Sequence, residues 1–180
     1  MRSSLSFFLL FIPLASFGQH KKLDTATSMV NLKTSVNRMK QSLMDGDYPT
    51  FTSYIHPQVA NLVGGKDKLI ELTKESYKIL EIEGYKISAV TIEYPAAIID
   101  NSPDNLQTIV QENLTLKNKK GRLISKSYLI AISNDMGATW FFIETSGKTL
   151  DEMKSVFPFL NNNLVIPKKE KPQFYRDDAH

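Results

Sequence analysis

A change of hydrophobic period near residue 85 limits what this chain can become. Before it, apolar residues recur at helical spacing; after it, they alternate. Met29, Leu32, Val36, Met39 and Leu43 lie three or four positions apart, which lays a single apolar stripe along a helix over residues 24–44. Asp24 or Thr25 can cap its start, and Gly46 in Asp45-Gly46-Asp47 ends it. A short helical segment, Tyr48 to Ile55, has Pro49 in its first turn and stops before Pro57, which drives His56 out of helical geometry. Gly64-Gly65 opens a longer helix over 66–83, ended by Gly84. Leu69, Ile70, Leu72, Tyr77, Ile79 and Leu80 are expected on its buried side. Lys68, Glu71, Lys74, Glu75, Lys78 and Glu81 are expected on its solvated one.

From Tyr85 the chain reads as strands. Val90, Ile92 and Tyr94 alternate with Thr91 and Glu93, and a strand resumes over 96–100 after Pro95. Ser102-Pro103-Asp104-Asn105, Asn118–Gly121 and Asn134-Asp135-Met136-Gly137 are turn clusters. They separate strands over 106–116, 122–133 and 138–144. Connections this short cannot carry a parallel crossover, so these strands pair antiparallel, and long strands of this kind twist into a curved meander. Thr149-x-x-Glu152 is a capping box that starts a short closing helix with Met153, Val156, Phe157 and Leu160 on its apolar side. Leu164–Pro167 reads as a short extended piece. The charged, Pro-interrupted residues 168–180 read as a flexible tail. The expected fold class is therefore α+β: N-terminal helices packed in a curved antiparallel sheet, with a short C-terminal helix.

The N-terminus has the pattern of an export signal. Arg2 precedes the apolar run Phe7–Leu14, and Ser16-Phe17-Gly18 places small residues before a cut at Gln19. The domain layout expected is a leader over 1–18, one domain over 19–167 and the tail. The apolar run is too short to span a bilayer, so no transmembrane anchor is expected after cleavage, and the protein is expected in the periplasm or outside the cell. A net charge of +3 argues against a nucleic-acid partner. Cysteine is absent, His20 stands at the expected new N-terminus and His56 is the one histidine within the globular part, so no metal or other cofactor site is readable.

Asp45-Gly46-Asp47-Tyr48, Tyr54-Ile55-His56-Pro57, Gly64-Gly65-Lys66 and the hairpin Ser133–Phe142, with its Gly137-x-x-Trp140-x-Phe142 ending, occur in the order helix, short helix, helix, curled sheet. Over residues 24–145 the chain resembles the nuclear transport factor 2-like superfamily, which includes ketosteroid isomerase, scytalone dehydratase and the SnoaL-like proteins. The resemblance is to small exported bacterial members. It implies a cystatin-like cone, apolar inside and open at its mouth. Enzymes of the superfamily place an Asp or His in the cone as a general base. The central strands here offer Gln111, Glu112, Tyr128 and Trp140 instead, and no residue is assigned a catalytic role.

Tyr54, His56, Tyr77, Tyr94, Tyr128, Trp140 and Phe142 are the candidate lining of such a cavity; taken singly, each is read first as ordinary core or loop packing. Glu112 shares a strand face with Val110 and Leu114. It fits a dry environment that raises its pKa, a solvated face of the sheet, or a pairing with Lys126 on the adjacent strand. Gly64-Gly65-Lys66 lacks P-loop spacing and reads as a tight turn. The expected function is an exported, non-catalytic domain that binds a small apolar ligand or a protein, with a homodimer through the sheet as one partner arrangement. Two other classes fit the same residues. One is an isomerase or dehydratase using His56 or Glu112 as a base; the other is a structural, envelope-associated partner-binding protein.

Overall fold

The computed structural model describes residues 25–95, 97–102 and 105–177. The leader and its cleavage site, His20, Asp24, Ala96, the Pro103-Asp104 turn and His180 lie outside the described residues. The architecture is α+β: a helical N-terminal region followed by an antiparallel sheet.

Four helices come first: α1 (Thr25–Met44), α2 (Tyr48–Ser53), α3 (Pro57–Leu62) and α4 (Lys66–Ile82). α2 starts where the Asp47 carboxylate accepts from the Thr50 amide at 3.1 Å. α3 is a helix that the sequence does not announce. Pro57 does end one helical turn, but it also stands at the first position of the next, where its missing N–H costs nothing. The strands are β1 (Lys86–Glu93), β2 (Ile99–Ser102), β3 (Asn105–Asn118), β4 (Gly121–Ser133), β5 (Phe141–Glu144) and β6 (Gln173–Arg176). α5 (Leu150–Val156) lies between β5 and β6 and carries the expected Thr149–Glu152 capping box.

β3 and β4 are 14 and 13 residues long and pair along their whole length. Each outer edge is shared by two short strands. β1 and β2 divide the free edge of β3, and β5 and β6 divide that of β4. The tail expected from 168 onward is therefore ordered in part. Residues 173–176 complete the β4 edge by backbone pairing, and flanking ion pairs (Lys126–Glu170 at 3.0 Å, Lys117–Asp177 at 3.3 Å) hold the segment on either side. Its side chains are exposed, so no hydrophobic signal in the sequence could announce it. Gly121 makes room for it: a Cβ there would stand 2.1 Å from the Tyr175 carbonyl oxygen.

Strand alternation sends the side chains to two faces. On one face Leu106 and Val110 of β3, Leu129 and Ala131 of β4, and Phe142 of β5 pack with Trp140 against Leu32, Val36 and Met39 of α1. On the other, Ile130, Ile132 and Ile143 pack under Met153, Phe157, Leu160 and Leu164. Buried Gln107 fastens that second layer, donating to the Phe159 carbonyl at 3.0 Å and accepting from the Asn161 amide at 2.9 Å.

α1 is also latched to the turn before β5. Ser28 Oγ donates to the Met136 carbonyl at 3.1 Å, and Asn31 Nδ2 donates to that of Gly137 at 2.9 Å. Gly137 has φ +82°, and a Cβ on it would lie 2.3 Å from Ser28 Oγ. The turn itself is built by Asp135, whose carboxylate accepts from Ser133 Oγ at 2.7 Å and from the Thr139 amide at 2.9 Å.

Candidate functional site

Past the end of the α1 contact, the α1-facing side of β3 and β4 turns polar. The register Glu112↔Ser127 and Leu114↔Ser125 puts one carboxylate and two hydroxyls on that face, next in line after the Val110↔Leu129 pair. α4 lies over this stretch without touching down. It buries only Leu69, and between it and the sheet is a cavity of about 610 Å³. Met39, Leu43, Phe51, Leu80, Leu129 and Phe142 supply much of its apolar wall. At the β5 end the wall continues onto Val59 and Leu62 of α3 and onto Met153, Val156 and Phe157 at α5. α3 is held there because the His56 amide donates to the Phe142 carbonyl at 2.9 Å and the Phe142 amide donates to that of Tyr54 at 2.8 Å.

The polar groups of the cavity lie close together. Ser127 Oγ donates to Glu112 Oε1 at 3.2 Å, the only hydrogen bond of that carboxylate among the described residues. Burial raises the Glu112 pKa; the Ser127 bond opposes the shift and the Glu144 charge adds to it. Tyr77 reaches in from α4. Burial pushes its hydroxyl pKa far up, and Glu112, Glu144 and Tyr48 push in the same direction. Its ring stacks on Tyr48 at 5.7 Å and separates the main cavity from a smaller cleft of about 310 Å³ beside Gly46 and Tyr85. Two cations, Lys148 and Lys169, complete the lining and are exposed.

Of the seven residues singled out in the sequence, Tyr77 and Phe142 line this cavity. Trp140 is buried in the α1 core, where its Nε1–H donates to the Gly137 carbonyl at 3.2 Å, and Tyr54 packs on the margin of the same core. Tyr94 also packs there, with the Lys33 ammonium 5.4 Å from its ring centroid. Tyr128 alternates with Leu129 and so shares the opposite face with Ile130. His56 caps α3, its Nδ1 accepting from the Gln58 amide at 3.3 Å, and its ring stacks on Phe159 at 5.2 Å with Phe141 at its edge. Burial lowers its pKa and favours the neutral ring. Lys126 pairs with Glu170, not with Glu112.

The sequence reading left out Glu144, Ser125, Ser127 and Lys169. The two serines carry a usable signal: they break the apolar alternation of β4 directly opposite Glu112 and Leu114. Lys169 carries none, because its place depends on the course of the chain after α5. Among the described residues no cluster of His, Asp or Glu could hold a metal ion, and no helix is long and apolar enough to cross a membrane. Comparisons with protein-family models, curated proteins and solved structures find no match.

Proposed function

We propose that this chain is an exported small-molecule-binding domain built as a nuclear transport factor 2-like cone, with the antiparallel sheet as one wall and the N-terminal helices as the other. The observation that carries this reading is the 610 Å³ cavity. Its wall is largely apolar and a few polar groups converge in it, as in sites for compact organic ligands. The helix order and the Gly137-x-x-Trp140-x-Phe142 hairpin support the family reading. The pattern at Arg2, Phe7–Leu14 and Ser16–Gly18 supports export, with a mature chain starting at Gln19.

Titration with a neutral solvatochromic dye tests the binding. The native protein should bind it with a blue-shifted emission, and Ser125→Trp, which fills the space beneath α4, should lose that signal while keeping its far-ultraviolet circular dichroism. A native protein that leaves the dye unshifted, or a filled variant that still binds it, overturns the reading. The mass of the protein recovered from the cell envelope or medium tests the proposed cut: a chain starting at Gln19 is expected.

One observation favours a second reading, an isomerase- or dehydratase-type enzyme. Glu112 is a carboxylate of raised proton affinity in a cavity that Tyr77 also lines. His56 takes no part in it, since its ring is packed between Phe141 and Phe159. Turnover abolished in Glu112→Gln with ligand affinity retained would establish this second reading over simple binding.

A further inference from the structure

We infer that the ligand is a primary amine with an apolar body, its ammonium group resting on Glu112. This rests on the reading of the cavity as a binding site and adds the chemical class of what it takes. Three hydrogen-bond acceptors face the space between α4 and the sheet with capacity to spare. Glu112 uses Oε1 for Ser127, and its Oε2 makes no hydrogen bond to the described residues. The hydroxyls of Tyr77 and Ser125 make none either, although both residues line the cavity. Ser125 is the diagonal neighbour of Glu112 across the β3–β4 pair, on the same face, and Tyr77 is near enough to feel the Glu112 charge. An ammonium has three N–H donors and no acceptor, which matches one carboxylate oxygen and two hydroxyl oxygens.

The charges of the lining point the same way. Glu144 of β5 pairs with Leu129 of β4, which puts it two strands over and two residues along from Glu112, about 12 Å away across the sheet, and its charge acts on both Glu112 and Tyr77. Glu112 is therefore the main charge of this part of the cavity, with exposed Glu144 adding to it. Lys148 and Lys169 are exposed, and neither perturbs Glu112 or Tyr77. A neutral ligand would leave the Glu112 carboxylate half-partnered in a site from which it had displaced water. A cation instead forms a charge-assisted contact with this half-buried carboxylate.

Isothermal titration with heptylamine, heptan-1-ol and heptanoate tests this on the full-length mature protein, since the three share one chain and differ only in the head. The amine should bind at least about tenfold more tightly than the alcohol, with heptanoate weakest. In Glu112→Gln the advantage of the amine over the alcohol should disappear, because the carboxylate that favours the ammonium and disfavours a neutral head is gone. Equal affinities for amine and alcohol in the native protein overturn the amine assignment and leave the cavity reading standing. An amine preference that survives Glu112→Gln overturns it too, because the cation would then sit elsewhere. If none of the three binds, the amine assignment falls, and the neutral dye then decides whether the cavity reading falls with it.

Discussion

α1 and α4 are both long amphipathic helices, but only α1 is seated on the sheet. α1 buries Ser28, Leu32, Val36, Met39, Ser42 and Leu43; α4 buries Leu69 alone and leaves Ile79 and Ile82 56% and 76% exposed. What lies beneath each helix accounts for the difference. Under α1 the strands present Leu106, Val110, Leu129 and Ala131, on which a helix can close without stranding a polar group. Under α4 they present Glu112, Ser125 and Ser127, and closing on those would bury a carboxylate without a countercharge. The cavity is thus dictated by β3 and β4 as much as by the helix above it.

The sharpest way to break this contrast is to truncate one residue on each helix. Leu32→Ala removes a fully buried side chain and should cost about 2–5 kcal/mol of unfolding free energy in urea denaturation. Ile79→Ala should stay within about 0.5 kcal/mol of the native protein. Equal losses would mean that α4 packs as α1 does and that the cavity is closed in solution.

The latch of α1 predicts the next largest effect. Gly137→Ala forces a side chain onto a backbone with φ +82° and drives its Cβ to 2.3 Å from Ser28 Oγ. The expected loss is roughly 2 kcal/mol or more. Ser28→Gly in the same chain should restore the part due to the collision and leave the part due to backbone strain, so a double-mutant cycle separates the two. Full additivity would show that the turn and α1 do not touch.

How much of this was legible in the sequence follows the same division. The boundaries of α1, the Thr149–Glu152 capping box and the antiparallel pairing of β3 with β4 come from local rules of spacing, capping and turn length, and the structure keeps them. α4 is where local rules mislead. Leu69, Leu72, Tyr77, Ile79 and Leu80 suggest a buried side, but periodicity reports where apolar residues lie on a helix and not how near a partner comes. Leu72 and Ile79 stay exposed, and Tyr77 and Leu80 face a cavity. Glu112 was ambiguous for a related reason: its strand and face could be read, while whether α4 or water covers that face depends on residues some 35 positions earlier. The aromatic candidates spread over both faces because aromatic content does not encode direction. Tyr128 and Trp140 serve the two layers of core instead of the cavity wall.

Glu112 also makes the contrast measurable by pH. Burial raises its pKa in the folded state, so the native protein holds this proton more tightly than the unfolded chain does. Its contribution to stability is present at low pH and is lost as pH rises through the folded-state pKa. The amide that Glu112→Gln introduces has no proton to lose over this range. The difference in urea midpoint between native protein and variant should therefore move in favour of the variant as pH rises from 4 to 8, by less than the effect of Leu32→Ala. A difference that is flat with pH would mean that bulk water reaches Glu112 freely.

The smallest stability effect is expected at the C-terminal segment, which touches only the α4 half of the molecule. β6 is exposed along its length and its ion pairs are exposed too, so deletion after Pro167 removes backbone pairing and weak surface electrostatics and should cost less than about 1 kcal/mol. Its consequence should be local instead. Amides of Gly121–Ile124, which lie along β6, should lose hydrogen-exchange protection, and dye bound in the cavity should exchange faster once Lys169 is gone from the wall. Amides of Leu129–Ser133, under α1, should keep their protection. Gly121→Ala should reproduce the exchange pattern with the segment still attached, since its Cβ would meet the Tyr175 carbonyl at 2.1 Å. If deletion instead lowered stability as far as Leu32→Ala does, residues 168–177 would belong to the core, and the two halves of the sheet would be a single cooperative unit rather than a packed half and an open one.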